Sequence, residues 1–336
     1  MAGVLLLGFL GLKLFLYWVE AAPPAVEDKS ALDWERQTIN DSTFQVKNNF
    51  LQKNEFGMWE MYLEGSPFER GVAGGMLSKE LLDYQEYAFA SGIDEKVPGG
   101  FYQYLLKLFI AWFDKDLPEY VPEEYQKEIY GYSLFAADEY DYIGQKYHRK
   151  LNYHAAHDIG HALQNMGLVA GCTAVAAWDQ NSIDSNLIIG RNFDFYVGDA
   201  FAKNKIILFM QPDEGIPFGM VTWPGFMGAV SGLNMKGISV TLNAAPNKIP
   251  EAIKMPVALL AREILQYAST IEEAKAVAQK HPTFVSELFL IGSADENRVE
   301  LIEKTPDTTL FYTQEDYMVV SNHFQSPFLK ENETNL

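Results

Sequence analysis

The pattern of the chain changes at Gly167. After it come "GCTAVAAW", "NLIIGRNFDFY", "NKIILFMQ", "FGMVTW", "MGAVSGLNMKGISVTLNAA", "ELFLIGSA", "RVELIEK" and "YMVVSN". These are short apolar or alternating runs split by turn residues, and they predict β-strands joined by tight connections. Asn234-Met235-Lys236-Gly237 is a hairpin turn between two such runs. Between Met255 and Lys280 the period becomes helical, and Thr270 with Glu273 forms a capping box ahead of "IEEAKAVAQK".

The half before Gly167 reads differently. "FGMWEMYLEG" alternates as a strand. "SPFERGVAGGMLSKELLDYQEYAFA" predicts a helix with Ser66 as N-cap, Pro67 at the first helical position and Glu69 closing a capping box. From Phe101 to Met166 the chain is rich in aromatic residues and mostly helical in pattern, punctuated by Pro118 and Pro122. The sum is an α+β protein with helices packed on sheets. Four segments follow: 1–21, a signal peptide or short membrane anchor; 22–56, a polar and proline-containing linker; 57–171, a mainly helical segment; and 172–336, a strand-rich catalytic segment.

The first segment, "MAGVLLLGFLGLKLFLYWVEAAPPAVEDKS", is apolar from Val4 to Val19 apart from Gly8, Gly11 and Lys13. Val19-Glu20-Ala21 has the small-x-small form of a cleavage site. No Lys or Arg precedes the apolar run, and the run is shorter than the roughly 20 residues of a full membrane span. The expectation is an exported chain (secreted, periplasmic or lumenal) or one anchored to a membrane through residues 2–19. With 48% hydrophobic and 14% aromatic residues the chain has ample material for a core. A formal charge of −19 argues against nucleic acid as a partner, because phosphate contacts need clustered Lys and Arg. No phosphate loop or dinucleotide fingerprint occurs, and no cofactor is expected.

Cys172 is the single cysteine, so no internal disulfide forms. A lone thiol is most often a small buried hydrophobe, yet in an oxidising compartment it is a liability without a function. Cutting the bond before Cys172 would give one residue both a thiol and an α-amine. That amine titrates at about 7.7–8.0, so part of it is free base at neutral pH and can take the thiol proton. Gly171, without a Cβ, suits such a cleavage position. If "TAVAAW" and "NLIIGRNF" pair as antiparallel strands, Arg191 and Asp194 return near the thiol. A guanidinium there favours thiolate, and a carboxylate orients an ammonium group.

The ordered set "GCT", "GRNFDF", "GLNMKGISVTLNAA" and "VVSNHF" resembles the N-terminal-nucleophile hydrolases of the choloylglycine hydrolase and penicillin acyltransferase group. Within it, "GSPFERGVAGG" at residues 65–75 is similar to the isopenicillin-N acyltransferase-like branch. The resemblance spans Gly57 to Phe324. It implies a four-layer αββα sandwich and autocatalytic cleavage at Gly171–Cys172 into an α/β heterodimer. It also implies a cysteine amidohydrolase or acyltransferase acting on a small-molecule linear amide, with an N-acyl amino acid, bile-salt-like or lipid substrate. It assigns Cys172 as nucleophile, Arg191 as the arginine beside it and Asp194 as the carboxylate holding its amine. Asn243 becomes the oxyanion amide, and Asn322 supports the oxyanion or orients the amine. Further strands and a late arginine motif are expected past "SNHFQSPFLKENETNL", so the C-terminal strands are expected to be missing here.

Two alternatives stand beside this. In "HRKLNYHAAHDIGH", His154, His157, Asp158 and His161 would share one helical face and could hold zinc in a metal-dependent hydrolase. No zincin spacing is present. The other alternative is a non-catalytic exported member of the fold.

Overall fold

A computed structural model describes residues 2–97, 99–162, 170–195, 198–246, 250–331 and 333. The chain opens with helix α1 (Ala2–Val19) and the strands β1 (Gln37–Asn40), β2 (Thr43–Val46), β3 (Asn49–Lys53) and β4 (Trp59–Gly65). Six helices follow: α2 (Pro67–Leu77), α3 (Lys79–Lys96), α4 (Gly100–Phe113), α5 (Leu117–Tyr120), α6 (Glu123–Ser133) and α7 (Lys146–Ala162). Then come β5 (Ala170–Ala177), β6 (Ile188–Phe195), β7 (Ile206–Pro212), β8 (Phe218–Thr222), β9 (Ser231–Asn234) and β10 (Ile238–Ala244). A helix pair, α8 (Val257–Tyr267) and α9 (Ile271–Lys280), interrupts the strands. The last elements are β11 (Glu287–Ser293), β12 (Arg298–Lys304), β13 (Thr309–Tyr312), β14 (Tyr317–Val320) and the short α10 (Pro327–Glu331). Residues 163–169, read as the end of the N-terminal segment, lie outside the described residues.

The local signals act as expected. Pro67 opens α2, and the Ser66 N–H donates to the Glu69 carboxylate at 2.8 Å, satisfying a donor that the helix leaves orphaned. The Thr270 hydroxyl accepts from the Glu273 N–H at 3.2 Å at the start of α9. Gly237 takes φ 77° and closes the β9–β10 hairpin, a conformation that an L side chain rarely adopts.

Residues 22–56 are more than a linker. β1, β2 and β3 pair in antiparallel order and join β4, which runs parallel to β7 with Trp59 opposite Ile206 and Gly65 opposite Pro212. They hide in the sequence because they are short and mostly polar, with β1 exposed along its length. This pairing makes the N-terminal segment the edge of an eleven-stranded sheet, in the order β1-β2-β3-β4-β7-β8-β9-β10-β11-β12-β13. A second sheet has three strands, β14-β5-β6.

The protein is thus α+β in layers. On one face of the large sheet, Val240, Leu242, Phe289 and Ile291 pack with Leu260 and Ile264 of α8. On the other, Leu288, Leu290 and Leu301 meet Ala174, Ala176, Met318 and Val320 of the small sheet. Each such aliphatic or aromatic side chain contributes ~1.5–3 kcal/mol on full burial. β5 alternates tiny residues inward with larger ones outward. Ala174 and Ala176 are fully buried while Val175 is exposed, as are Ile188 and Val319 on the same outer face. Small inward residues let β5 lie close against β10, and that closeness builds the site below.

Among the described residues no helix is long and apolar enough to cross a membrane. The end of α1 is tied to α7: the Ala21 N–H donates to His148 Nδ1 at 3.1 Å, and Glu20 accepts from the Gln145 backbone at 3.2 Å.

Candidate active site at the start of strand β5

β5 and β6 pair in the expected hairpin, with Gly171 opposite Asp194, Cys172 opposite Phe193 and Ala174 opposite Arg191. Paired residues of an antiparallel ladder point to the same face. Cys172, Phe193 and Arg191 therefore face the large sheet with Ala174, whereas Gly171 and Asp194 face outward. Gly171 and Cys172 both lie within the strand, so the bond between them is held extended.

Two asparagines lock the sheets together at this point. The Cys172 N–H donates to Asn322 Oδ1 at 2.7 Å, and Asn322 Nδ2 donates to the Ala244 carbonyl at 2.7 Å. Reciprocally, Asn243 Nδ2 on β10 donates to the carbonyls of Val320 (3.3 Å) and Ser321 (3.1 Å) at the end of β14. The ends of β5, β10 and β14 are thereby fixed relative to one another. Asn322 holds the backbone nitrogen of Cys172, which is the orienting half of its expected role. The amide of Asn243, expected at an oxyanion, is spent on two carbonyls. The backbone of Asp194 and of Ala244 favours the ionised form of the Cys172 thiol.

Arg191 crosses from the small sheet to the large one. Its Nη1 donates to the Val230 carbonyl (3.0 Å) and Ser231 Oγ (2.8 Å), and its Nη2 donates to the Leu242 carbonyl and to Asn243 Oδ1 (3.4 Å). No carboxylate pairs with it directly, and its Nε is buried without a partner. Burial pushes the Cys172 thiol up, and the Arg191 charge and the two backbone groups work against that rise. A guanidinium held on neutral carbonyls keeps its charge available to a nearby thiolate.

Asp194 lies on the outer face beside Gly171. Asn192 Nδ2 donates to both its carboxylate oxygens at 3.0 Å. A Cβ built on Gly171 would stand 4.0 Å from Asp194 Oδ2, so a charge appearing at Cys172 N would arise close to this carboxylate.

The histidines of α7 do not converge. His154 stacks on Phe226, accepts the Met227 N–H at Nε2 (2.9 Å) and meets the Lys150 carbonyl at Nδ1 (2.8 Å). His157 Nδ1 meets Asp158 Oδ1 at 3.0 Å, and Asp158 Oδ2 accepts the Val257 N–H at the start of α8. Both ring nitrogens of His154 are engaged by the backbone, and no group of three or more metal-ligating side chains forms among the described residues. The side chain of His161 lies outside those residues. The zinc expectation is corrected accordingly: these positions share a helix face in projection, but His154 is a core hydrogen-bonding residue.

One side chain that sequence reading passed over belongs here. Glu287 opens β11, directly opposite Ala244. It is fully buried, and among the described residues neither carboxyl oxygen has a hydrogen-bond partner. Burial raises its carboxyl to about 8, with His157 and Arg191 opposing the rise and Asp158 adding to it. The available signal was a lone charge heading the otherwise apolar run "ELFLIGSA".

Phe193, the strand partner of Cys172, also lines an apolar cavity with Phe89, Phe195, Phe201, Trp223 and His157. A second, more apolar cavity shares Phe89, Tyr153, Ala156 and Phe195 with it and extends to Leu106 and Ile110 of α4.

Residues 181–336 match the family described as acyl-coenzyme A:6-aminopenicillanic acid acyl-transferase. An uncharacterized protein of Archaeoglobus fulgidus is 26% identical over 312 residues, covering 81% of this chain and 51% of that protein. Protein dcd1B of Dictyostelium discoideum is 23% identical over 274 residues, covering 76% and 52% respectively. The chain spans about half the length of the curated relatives it matches. Among solved structures, a Caenorhabditis elegans ortholog of N-acylethanolamine-hydrolyzing acid amidase is similar with a TM-score of 0.39 and 19% identity, over 48% of this chain and 73% of that one. A conjugated bile acid hydrolase variant from Clostridium perfringens gives a TM-score of 0.35 and 14% identity, over 47% and 55%.

Proposed function

We propose that the chain belongs with the N-terminal-nucleophile hydrolases its motifs resemble and is the precursor of a cysteine amidase or acyltransferase; the match of residues 181–336 to the acyl-coenzyme A:6-aminopenicillanic acid acyl-transferase family supports this. The observation that carries this reading is the treatment of its one cysteine. The backbone nitrogen is held by Asn322, and the thiol lies in the field of a half-buried arginine that has no carboxylate partner among the described residues.

In maturation the Cys172 sulfur attacks the Gly171 carbonyl carbon. The C–N bond breaks, the nitrogen gains a proton and a thioester forms. Water then cleaves the thioester, leaving Gly171 as a carboxylate and Cys172 as a free N-terminus. The new ammonium forms beside Asp194, and Asn322 remains as acceptor for one of its protons. In turnover the free amine takes the thiol proton and the sulfur attacks the amide carbonyl of the substrate. The amine returns that proton to the leaving nitrogen. Water or an amine then accepts the acyl group from sulfur. Backbone donors near the sulfur suit the developing oxyanion, since one well-placed donor is worth ~3 kcal/mol in the transition state.

The substrate in this reading is a linear amide with an apolar acyl chain. The Phe193 and Phe195 walls of the first cavity and the apolar depth of the second support that class.

Intact-mass analysis of the purified protein is the test. The expected result is a split between Gly171 and Cys172 that Cys172→Ala abolishes, together with loss of N-acyl amide hydrolysis. A chain that stays whole, with hydrolysis unaffected by Cys172→Ala, overturns the reading.

A further inference from the structure

Glu287 stands in a position that the chemistry above leaves unused. It is a full carboxyl group, sealed from water, with no hydrogen-bond partner for either oxygen among the described residues. A buried polar group of this kind is normally paired, and an unpaired one calls for an explanation. Its surroundings supply one. Across the ladder on β10 it faces Ala244, whose carbonyl accepts from Asn322 and whose neighbour Asn243 contacts Arg191. The charges that act on it come from His157 and Asp158 of α7 and Arg191 of β6, and its own charge acts on Cys172 of β5. Asp158 in turn acts on Asp114. Its partner on β12, Lys304, donates instead to Thr309 Oγ1 at 3.1 Å.

Arg191 therefore has two acids within its field and a direct ion pair with neither. Its guanidinium is fixed by carbonyls of Val230 and Leu242, so it cannot swing to follow a charge. The charge on Glu287 favours the guanidinium and disfavours ionisation of the thiol. Two anions in this dry space are costlier than one, because like charges at close range oppose each other's ionisation.

We propose that Glu287 is a positioning residue that controls, through Arg191, how much thiolate Cys172 can form. While Glu287 is uncharged the field of Arg191 falls on the sulfur alone. Once Glu287 is ionised the same guanidinium is shared, and the thiol keeps its proton to higher pH. His157 and Asp158 tune the switch from the far side. Because the Glu287 carboxyl is held up to about 8, the uncharged form persists through neutral pH. Ionisation of Glu287 above that range then holds back thiolate formation as pH rises. This deepens the cysteine-nucleophile reading and rests on it for any consequence in turnover.

The test measures the thiol itself. Cys172 is the only cysteine in the chain, so its alkylation by iodoacetamide, followed by intact mass across a pH series, reports its thiolate without an activity assay. Glu287→Gln keeps the shape and removes the charge; Glu287→Leu does the same with a side chain suited to a buried site. Both are expected to move the alkylation profile toward acid by about one pH unit, which is about tenfold in thiolate at a given pH. Glu287→Asp is expected to keep the wild-type order of titration. Profiles of the Gln and Leu variants that superpose on wild type overturn the proposal. If the profile shifts but the chain never splits at Gly171–Cys172, the coupling stands and the maturation reading fails. If the chain splits and the profile does not move, the coupling fails alone.

Discussion

Two buried charge clusters in this molecule are built on opposite plans. Around Glu128, every strong group is paired. Arg70 donates to Glu128 Oε2 from Nε (3.1 Å) and Nη2 (2.9 Å), and Arg262 donates to both oxygens at 3.2 and 3.0 Å. The spare donors of Arg70 reach the Gly65 carbonyl and Asp213, and one of Arg262 reaches the Met227 carbonyl. Around Arg191, donors end on neutral oxygens, one nitrogen is left over and the nearby carboxyl of Glu287 has no partner among the described residues. The first cluster is a staple. It joins α2, α6 and α8 where α2 and α6 touch backbone to backbone: a Cβ on Gly71 would lie 2.1 Å from the Glu128 carbonyl oxygen, and one on Gly131 2.6 Å from that of Phe68. The second cluster is a field source. Pairing neutralises charge and gives rigidity; leaving charge unpaired costs stability and leaves an electrostatic field for chemistry.

The largest expected effect comes from breaking the staple. Glu128→Ala would strand two buried guanidinium groups and should cost ~3–5 kcal/mol in urea unfolding. Burial alone would raise the Glu128 carboxyl, but Arg262 and Arg70 outweigh it and hold it below its ordinary value. Its contribution is therefore present above the unfolded carboxylate range and lost as pH falls through the folded value. A loss of less than about 1 kcal/mol would mean that water enters and the cluster is no staple.

The next effect has the opposite sign. In the unfolded chain Glu287 ionises near the ordinary value of 4.5, whereas in the fold it keeps its proton to about 8. The unfolded state binds fewer protons between those limits, so stability falls as pH rises across that window. Glu287→Gln should have little effect in acid and should stabilise the protein by several kcal/mol at the alkaline end. Denaturant midpoints across that pH range check it. Destabilisation at every pH would place Glu287 with Glu128 as a structural ion and dissolve the contrast between the clusters.

The two plans differ in how far they can be read from the sequence. The capping box at Ser66 and Glu69, the turn at Asn234–Gly237 and the β5–β6 hairpin are local signals, and each forms as read. The hairpin alone brings Arg191 and Asp194 back to Cys172, because period-two alternation fixes which residues share a face. What resisted reading depends on long-range pairing. The β4–β7 ladder joins residues about 150 positions apart in sequence, and no local pattern announces it. β1 to β3 were hidden because edge strands carry polar residues on purpose. Glu287 needed both the β10–β11 register and the approach of α7 before its isolation was visible. Asn243 shows a finer limit: its identity was legible, but the carbonyls that take its donors come from the end of another sheet.

The smallest effect tests the outer rim of the active-site cluster. Asn192 is exposed, and its side-chain amide donates to both oxygens of the Asp194 carboxylate. Water can replace those bonds, so Asn192→Ala should change the unfolding free energy by about 0.5 kcal/mol or less. Its functional effect should be larger than its structural one. If Asp194 receives the new ammonium of Cys172, loosening the carboxylate should slow amide turnover a few-fold while maturation still goes to completion, because that ammonium does not exist before the split. Turnover assays on the matured protein, set beside the rate of precursor loss, separate the two. Equal slowing of both steps would put Asp194 in the service of the precursor strand rather than the free amine. No slowing of either would remove Asp194 from the site and leave Asn322 as the residue that orients the amine.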